Sequence, residues 1–163
     1  MPYTTPSIVS SEEAVSSIED GMTLSVNTMS AVSYPDSLSR ALRDRFQVTA
    51  SPKNLSFCGT PSQGLYYLDA LSEHLARCEW MFSKVIMGHW LTTPTFVELA
   101  SKNKFAAYNF PQGVISHLYR SAAGKKPVVV TRVGLGTFAD PRHGGGKMNA
   151  LAEEDFVDVV TID

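Results

Sequence analysis

The feature that most constrains this fold is a repeated alternation of short apolar segments with helices that carry one apolar face. The apolar segments are bounded by glycine, proline or asparagine, which is typical of strands in an α/β protein. We predict strands at 22–26, 54–58, 84–87, 105–108 and 127–133. The last is the strongest, because it holds three consecutive valines. Helices are predicted at 10–20, after Pro35, at 68–78, after Pro94 and at 114–124.

Strands that alternate with helices are joined by right-handed crossovers, which produce a parallel sheet covered on both faces. We therefore predict an α/β fold with an open, mostly parallel sheet and helices on both faces, a Rossmann-like arrangement in three layers. The 163 residues fit one domain, which we predict to span residues 1–163.

Composition excludes several classes of function. Fourteen lysines and arginines stand against sixteen aspartates and glutamates, so the basic surplus typical of nucleic-acid binding is missing. No apolar run approaches the ~18 residues of a membrane span, and the N-terminus does not have the pattern of a signal peptide. Two cysteines predict no disulfide framework, and the histidines lack metal-ligand spacing. We expect a cytoplasmic protein without a metal, a membrane contact or a nucleic-acid partner.

Ligands of open α/β sheets bind beyond the carboxyl ends of the strands, so the loops after the strands form the candidate site. These loops are 27–34, 59–64, 88–93, 109–113 and 134–147. Residues 134–139 match the sequence motif of a dinucleotide-binding site. Asp140-Pro141 follows and prevents the helix that such a site requires, so we do not expect a dinucleotide here.

Three stretches resemble family I coenzyme A transferases, in the half that precedes the catalytic half. The first is Gly88-His89-Trp90, with Asn103-Lys104 and YNFPQGVISHLYR at 108–120. The second is VGLGTFADPR at 133–142 with GGKMN at 145–149, and the third is Asp20-Gly21 with its strand and Pro35. The resemblance spans roughly residues 10–163 and implies the same open α/β half that the periodicity predicts.

Two departures from the family pattern bear on function. The family signature has Gly-Gly-Phe after the first strand, where this chain has Asn27-Thr28-Met29, whose side chains reshape a turn that glycine keeps open. The family's catalytic glutamate lies in a Ser-Glu-Asn-Gly motif of the second half, and this chain contains no such motif. The chain also stops before the family's first half normally ends. We therefore expect that it cannot perform the family's CoA transfer alone.

Three functions remain open. The one we favour is a stand-alone enzyme of specialised metabolism that acts by acid–base chemistry on a small carboxylate, β-keto or polyketide-like molecule, as an isomerase, cyclase, dehydratase, decarboxylase or hydrolase. The second is the alpha part of a split acyl-CoA:carboxylate CoA-transferase whose beta-type subunit supplies the glutamate. The third is a non-catalytic scaffold that binds a homologue. No cofactor is required, and coenzyme A enters only as part of a substrate.

The candidate catalytic residues are His89, His143 and Asp140, because a loop histidine titrates near neutral pH and an aspartate can orient it. His89 also fits a loop hydrogen bond, and Asp140 also fits a turn cap. The resemblance places Gln112 beside the reacting thioester, so the ligand would be an acid, a ketone or an acyl thioester. The other predicted binding residues are Asn109, Gly113, Asn27, Met29, Trp90 and Phe138. A homodimer is expected, since a short sheet leaves an uncovered edge.

Overall fold

A computed structural model describes residues 7–27, 33–60 and 78–162, and it confirms the predicted α/β architecture. The segment 68–77, predicted to be helical, lies outside the described residues, as does Met29. The elements are α1 (Ser11–Ser16), β1 (Thr23–Val26), α2 (Asp36–Thr49), β2 (Leu55–Gly59), β3 (Phe82–Met87), α3 (Pro94–Ser101), β4 (Ala106–Asn109), α4 (Gln112–Ala123) and a 3-10 turn (Pro141–His143). None of the helices within these ranges is long and apolar enough to cross a membrane.

The four strands form one parallel sheet in the order β1-β2-β3-β4. At their carboxyl ends Val26 lies opposite Gly59, and Met87 lies opposite Asn109. Because all three strand pairs are parallel, the four carboxyl ends meet at one end of the sheet. The loops that follow β1, β2, β3 and β4 therefore start side by side, as the prediction of the site requires.

Helices cover both faces of the sheet. On one face, alternate residues of the strands, such as Phe57 and Val85, pack with Leu42 of α2 and Phe96 of α3 in a large buried apolar cluster. On the other face a smaller cluster surrounds Tyr108 and includes residues of α4 and of the C-terminal segment. Each fully buried side chain of this size contributes roughly 1.5–3 kcal/mol, so the two clusters hold the three layers together.

The first helix is shorter than predicted. Ser10 caps it as expected, because its Oγ accepts a hydrogen bond from Glu13 N at 3.1 Å. The helix ends at Ser16 rather than near residue 20. The hydroxyls of Ser16 and Ser17 donate to backbone carbonyls three residues back, at 2.7 and 3.0 Å. Serine hydroxyls that bond the backbone in this way compete with a regular helix.

The strongest predicted strand is wrong for this structure, because residues 127–133 form no strand. Val128, Val130 and Val133 are 62%, 64% and 61% exposed. Within the described parts of the chain, no backbone hydrogen bond joins residues 127–131 to another segment. Valine favours strands only where a neighbouring strand supplies hydrogen bonds and a packed face. Residues 7–27, 33–60 and 78–162 supply no such neighbour.

The loop that follows this segment closes the β4 edge of the sheet. Met148 N donates to the carbonyl of Ala107 at 2.9 Å. The side chain of Asn149 accepts from Ala107 N at 3.2 Å and donates to the carbonyls of Ala100 and Phe105 at 2.9 and 2.8 Å. Asn149 thus ties α3, β4 and the closing loop together, a role that the sequence pattern did not indicate.

Candidate functional site

Polar groups form a row across the carboxyl ends of the sheet. Asn27 follows β1, and its Oδ1 accepts a hydrogen bond from Thr60 Oγ1, after β2, at 2.9 Å. The carbonyl of Thr60 accepts from Gly88 N, after β3, at 3.0 Å. Gly88 lies against Gln112, the first residue of α4. The sheet therefore brings Asn27 and Gln112, two of the predicted binding residues, into one row through Thr60 and Gly88.

Gly88 is the position where this row is most tightly packed. A Cβ added there would lie 2.3 Å from the Thr60 carbonyl oxygen and 2.5 Å from Cγ of Gln112. Both distances are much shorter than a van der Waals contact. A side chain at residue 88 would therefore push Thr60, which follows β2, away from α4. The absence of a Cβ is what allows this close approach. Gly113, the next residue of α4, has no such neighbour, since a Cβ there would meet nothing within 4 Å.

Asn109 adds a hydrogen-bond acceptor at the end of β4. Its backbone N donates to the carbonyl of Gly146 at 2.8 Å, which fixes the strand end against the closing loop. Its side-chain Oδ1 is buried and has no hydrogen-bond partner among the described residues. A buried acceptor without a donor costs about 1–3 kcal/mol. The end of β4 therefore holds an acceptor that no donor of the described residues uses.

A cavity of about 340 Å³ opens beside Asn27, between α1, β1 and α2. Its walls are mostly apolar and include Ile18, Leu24, Val26 and Leu42. This volume lies at the small end of the range for ligand pockets. Sequence reasoning missed the cavity, because its lining residues belong to ordinary amphipathic patterns and meet only in the folded chain.

The two candidate histidines lie in different surroundings. His89 directly follows Gly88 in the row and is half-buried. His143 is exposed at the end of the 3-10 turn, in the loop after residue 133. The geometry thus puts His89 next to the polar row.

Asp140 is buried, and the surrounding loop uses both oxygens of its carboxylate. Oδ1 accepts from the backbone N and Nε of Arg142 at 3.0 and 2.9 Å. Oδ2 accepts from Arg142 Nη2 at 2.6 Å and from Gly136 N at 2.8 Å. The hydrogen bonds from Arg142, followed by the one from Gly136, hold the pKa of Asp140 well below its usual range. The geometry favours the turn cap, which was the alternative to a catalytic role.

The predicted apolar lining residues are dispersed. Trp90 is buried in the main core and stacks on Phe105, with ring centroids 6.4 Å apart. This packing attaches the loop after β3 to the core. Phe138 is exposed on the loop after residue 133. Only Phe138, of these two aromatic residues, presents surface to a ligand.

Cys58 has the environment of a structural thiol. It lies on β2, and Tyr119 Oη donates to its carbonyl at 2.8 Å. Burial raises the pKa of the Cys58 thiol, which disfavours the nucleophilic thiolate. In the described ranges, no group of three or more histidine, cysteine, aspartate or glutamate side chains is placed to hold a metal ion.

Comparison with known proteins identifies CoA-transferases as relatives, although no protein-family model matches the chain. Acetate CoA-transferase YdiF of Escherichia coli K12 is 37% identical over 157 residues, which are 96% of this chain and 29% of that protein. Caffeate CoA-transferase of Acetobacterium woodii is 36% identical over 154 residues, which are 93% and 29% of the two chains.

A solved structure has the same fold. The acyl-CoA transferase YdiF of Escherichia coli O157:H7, in a thioester complex with CoA, superposes with a TM-score of 0.85 at 35% identity. The match covers 95% of this chain and 30% of that one, so the present chain spans less than a third of its relatives' length. The predicted resemblance is confirmed: in sequence and in fold, this chain is similar to one segment of the coenzyme A transferases.

Proposed function

We propose that this chain is the substrate-binding part of a CoA-transferase, which holds a carboxylate or an acyl thioester at the carboxyl ends of β1–β4. The transfer reaction itself would need a glutamate supplied from outside these 163 residues. The observation that carries the proposal is the row formed by Asn27, Thr60, Gly88 and Gln112. The relatives of the chain that contains this row are named acetate and caffeate CoA-transferases.

The chemistry of the row suits binding better than proton transfer. Asn27, Asn109 and Gln112 carry side-chain amides, which donate and accept hydrogen bonds but do not titrate. The amide N–H of Gln112 would donate to a carboxylate or thioester oxygen. A ligand N–H placed at the end of β4 would satisfy the buried Oδ1 of Asn109. The positive end of the helix dipole at the start of α4 favours negative charge in the same place.

The row lacks a nucleophile. A covalent CoA carrier requires a carboxylate that is positioned and free to attack. Asp140 is the one aspartate or glutamate that is buried among the described residues, and its oxygens are bonded to Gly136 and Arg142. The reacting carboxylate of a transferase would therefore come from another part of the protein or from a beta-type subunit.

A second candidate is the stand-alone acid–base enzyme, and one observation favours it. His89 directly follows Gly88, which lies against Gln112. The imidazole of His89 would then move a proton to or from a β-keto acid whose carbonyl oxygen is held by Gln112, without a cofactor. Asp140 offers it no free carboxylate, and His143 is exposed, so this candidate rests on His89 alone.

Ligand binding by the purified chain tests the proposal. We expect acetyl-CoA to bind, and Gln112→Ala to weaken its affinity about tenfold, since one lost hydrogen bond of ~1.4 kcal/mol has that effect. Isothermal titration calorimetry measures the change. His117→Ala, an exposed position on the same helix, is the matched control and should leave the affinity unchanged.

Two results would contradict the proposal. One is an affinity for acetyl-CoA that neither Gln112→Ala nor Asn109→Ala reduces. The other is turnover of a β-keto acid by the chain alone that His89→Ala abolishes, which would establish the second candidate instead.

A further inference from the structure

An exposed apolar segment at residues 127–133 has the pattern of a strand without a partner. Val128 and Val130 are exposed, whereas Val129 between them is half-buried. The other residues of 127–133 are exposed as well, so the apolar side chains of the segment lie largely at the surface. The amides of residues 128–131 make no backbone hydrogen bond to the described residues, so the hydrogen-bonding edge is unused.

The C-terminal segment 156–162 is a second exposed segment with apolar side chains. Val159, Val160 and Ile162 are exposed, and residues 156–162 make no backbone–backbone hydrogen bond within the described part of the chain. Free strand edges with apolar side chains promote association, and stable monomers normally cover or charge them. Two such segments in one domain indicate that a further layer of protein belongs against it.

The comparisons indicate which protein that layer comes from. The matched segment is 29% of the acetate CoA-transferase of Escherichia coli, so most of that fold lies outside the match. In the matching structure the counterpart of this chain is embedded in a polypeptide more than three times as long. The rest of a CoA-transferase fold is therefore the partner that the incomplete surface fits.

The charges at the ends of the segment argue against pairing between two copies of this chain. Lys125 and Lys126 precede the valines and Arg132 follows them, and none of the three makes an ion pair with a described residue. Antiparallel pairing of two copies would bring the lysines of one copy towards the arginine of the other, which is unfavourable. A partner strand with acidic flanks would complement them.

We propose that residues 127–133 add a strand to a sheet in the part of a CoA-transferase that this chain does not match. Backbone hydrogen bonds would provide the affinity, and alternate valines would provide the register, as in other cases of strand addition. The identity of the partner rests on the proposed function. The docking itself rests on the unused backbone and on the exposed valines.

The test uses the full chain, tagged and co-expressed with the part of Escherichia coli YdiF that lies outside the matched 157 residues. We expect the two polypeptides to co-purify, and amide hydrogen exchange at residues 128–131 to slow at least about tenfold relative to the free chain. Val130→Asp should abolish co-purification. Val48→Asp is the matched control, because Val48 is an equally apolar and even more exposed residue on α2.

Circular dichroism of both variants shows that the free chain stays folded, which is expected because both positions are exposed. Failure of the wild-type chain to form a complex would overturn the proposal. So would a complex in which residues 128–131 exchange as fast as in the free chain, or protection of these amides in a dimer of the chain alone. Calorimetry of acetyl-CoA binding to the free chain is done in parallel. Loss of that binding with docking intact would count against the proposed function and not against the docking.

Discussion

At the residue scale, the groups that shape the candidate site are mostly uncharged. Gly88 lets Thr60, which follows β2, approach the start of α4 closely. Asn109 adds a buried acceptor at the end of β4. Asn27 and Thr60 hold the other end of the row. Amide and backbone groups form hydrogen bonds without titrating, which suits the binding role that we propose for the row.

Substitution of Gly88 tests whether this close packing matters. In Gly88→Ala the new Cβ would lie 2.3 Å from the Thr60 carbonyl oxygen, so the loop or α4 must shift. We expect a loss of about 1–3 kcal/mol in the free energy of unfolding, measured with urea, together with weaker binding of acetyl-CoA. Gly113→Ala is the control, since its Cβ meets no atom within 4 Å and alanine favours a helix. Equal stability of the two variants would show that the row is not tightly packed.

At the scale of the elements, the sequence predicts what local chemistry determines. The apolar alternation predicts β1–β4, Pro35 precedes α2, and Gly124 ends α4. The parallel order then places the loops after β1–β4 at one end, which is why Asn27 and Gln112 were predictable as neighbours of one site.

The errors arise where a residue depends on partners distant in the sequence. The segment 127–133 has the composition of a strand, but the described residues supply no neighbouring strand, so its valines remain exposed. Trp90 was predicted to line a pocket, but it enters the core against Phe105. The hydrogen bonds of Asn149 to α3 and β4 likewise depend on contacts that no periodicity reveals.

The loop after residue 133 is held by Asp140, which makes its stability depend on pH. The pKa of Asp140 is lowered from its ordinary value of 3.8, mainly by hydrogen bonds from Arg142. Its contribution is therefore present above about pH 4, where the unfolded carboxyl is also ionised, and is lost as the pH falls further. We expect the urea midpoint of the wild-type chain to fall more steeply from pH 5 to pH 3 than that of Asp140→Asn. If the urea midpoints of the two proteins changed in parallel with pH, Asp140 would not stabilise the loop as we expect.

At the scale of the whole molecule, the chain has a covered sheet and a polar row at its carboxyl end, together with two exposed apolar segments. Asp140, the one fully buried aspartate or glutamate of the described residues, is bound by its own loop. The resemblance already indicated the missing glutamate from the sequence. The exposed segments became apparent only with the fold, because a strand prediction does not say whether a neighbour exists. Both observations support the proposal that the chain is one part of a transferase.

An assay of CoA transfer between two acids tests this account most directly. The chain alone, and the chain co-expressed with the unmatched part of Escherichia coli YdiF, would each be incubated with acetyl-CoA and propionate. Formation of propionyl-CoA would then be followed by chromatography. We predict no transfer by the chain alone and transfer by the combined polypeptides, with Gln112→Ala in the chain lowering the rate of the latter. Transfer by the chain alone would contradict the account, because it would show that the reacting group lies within these 163 residues.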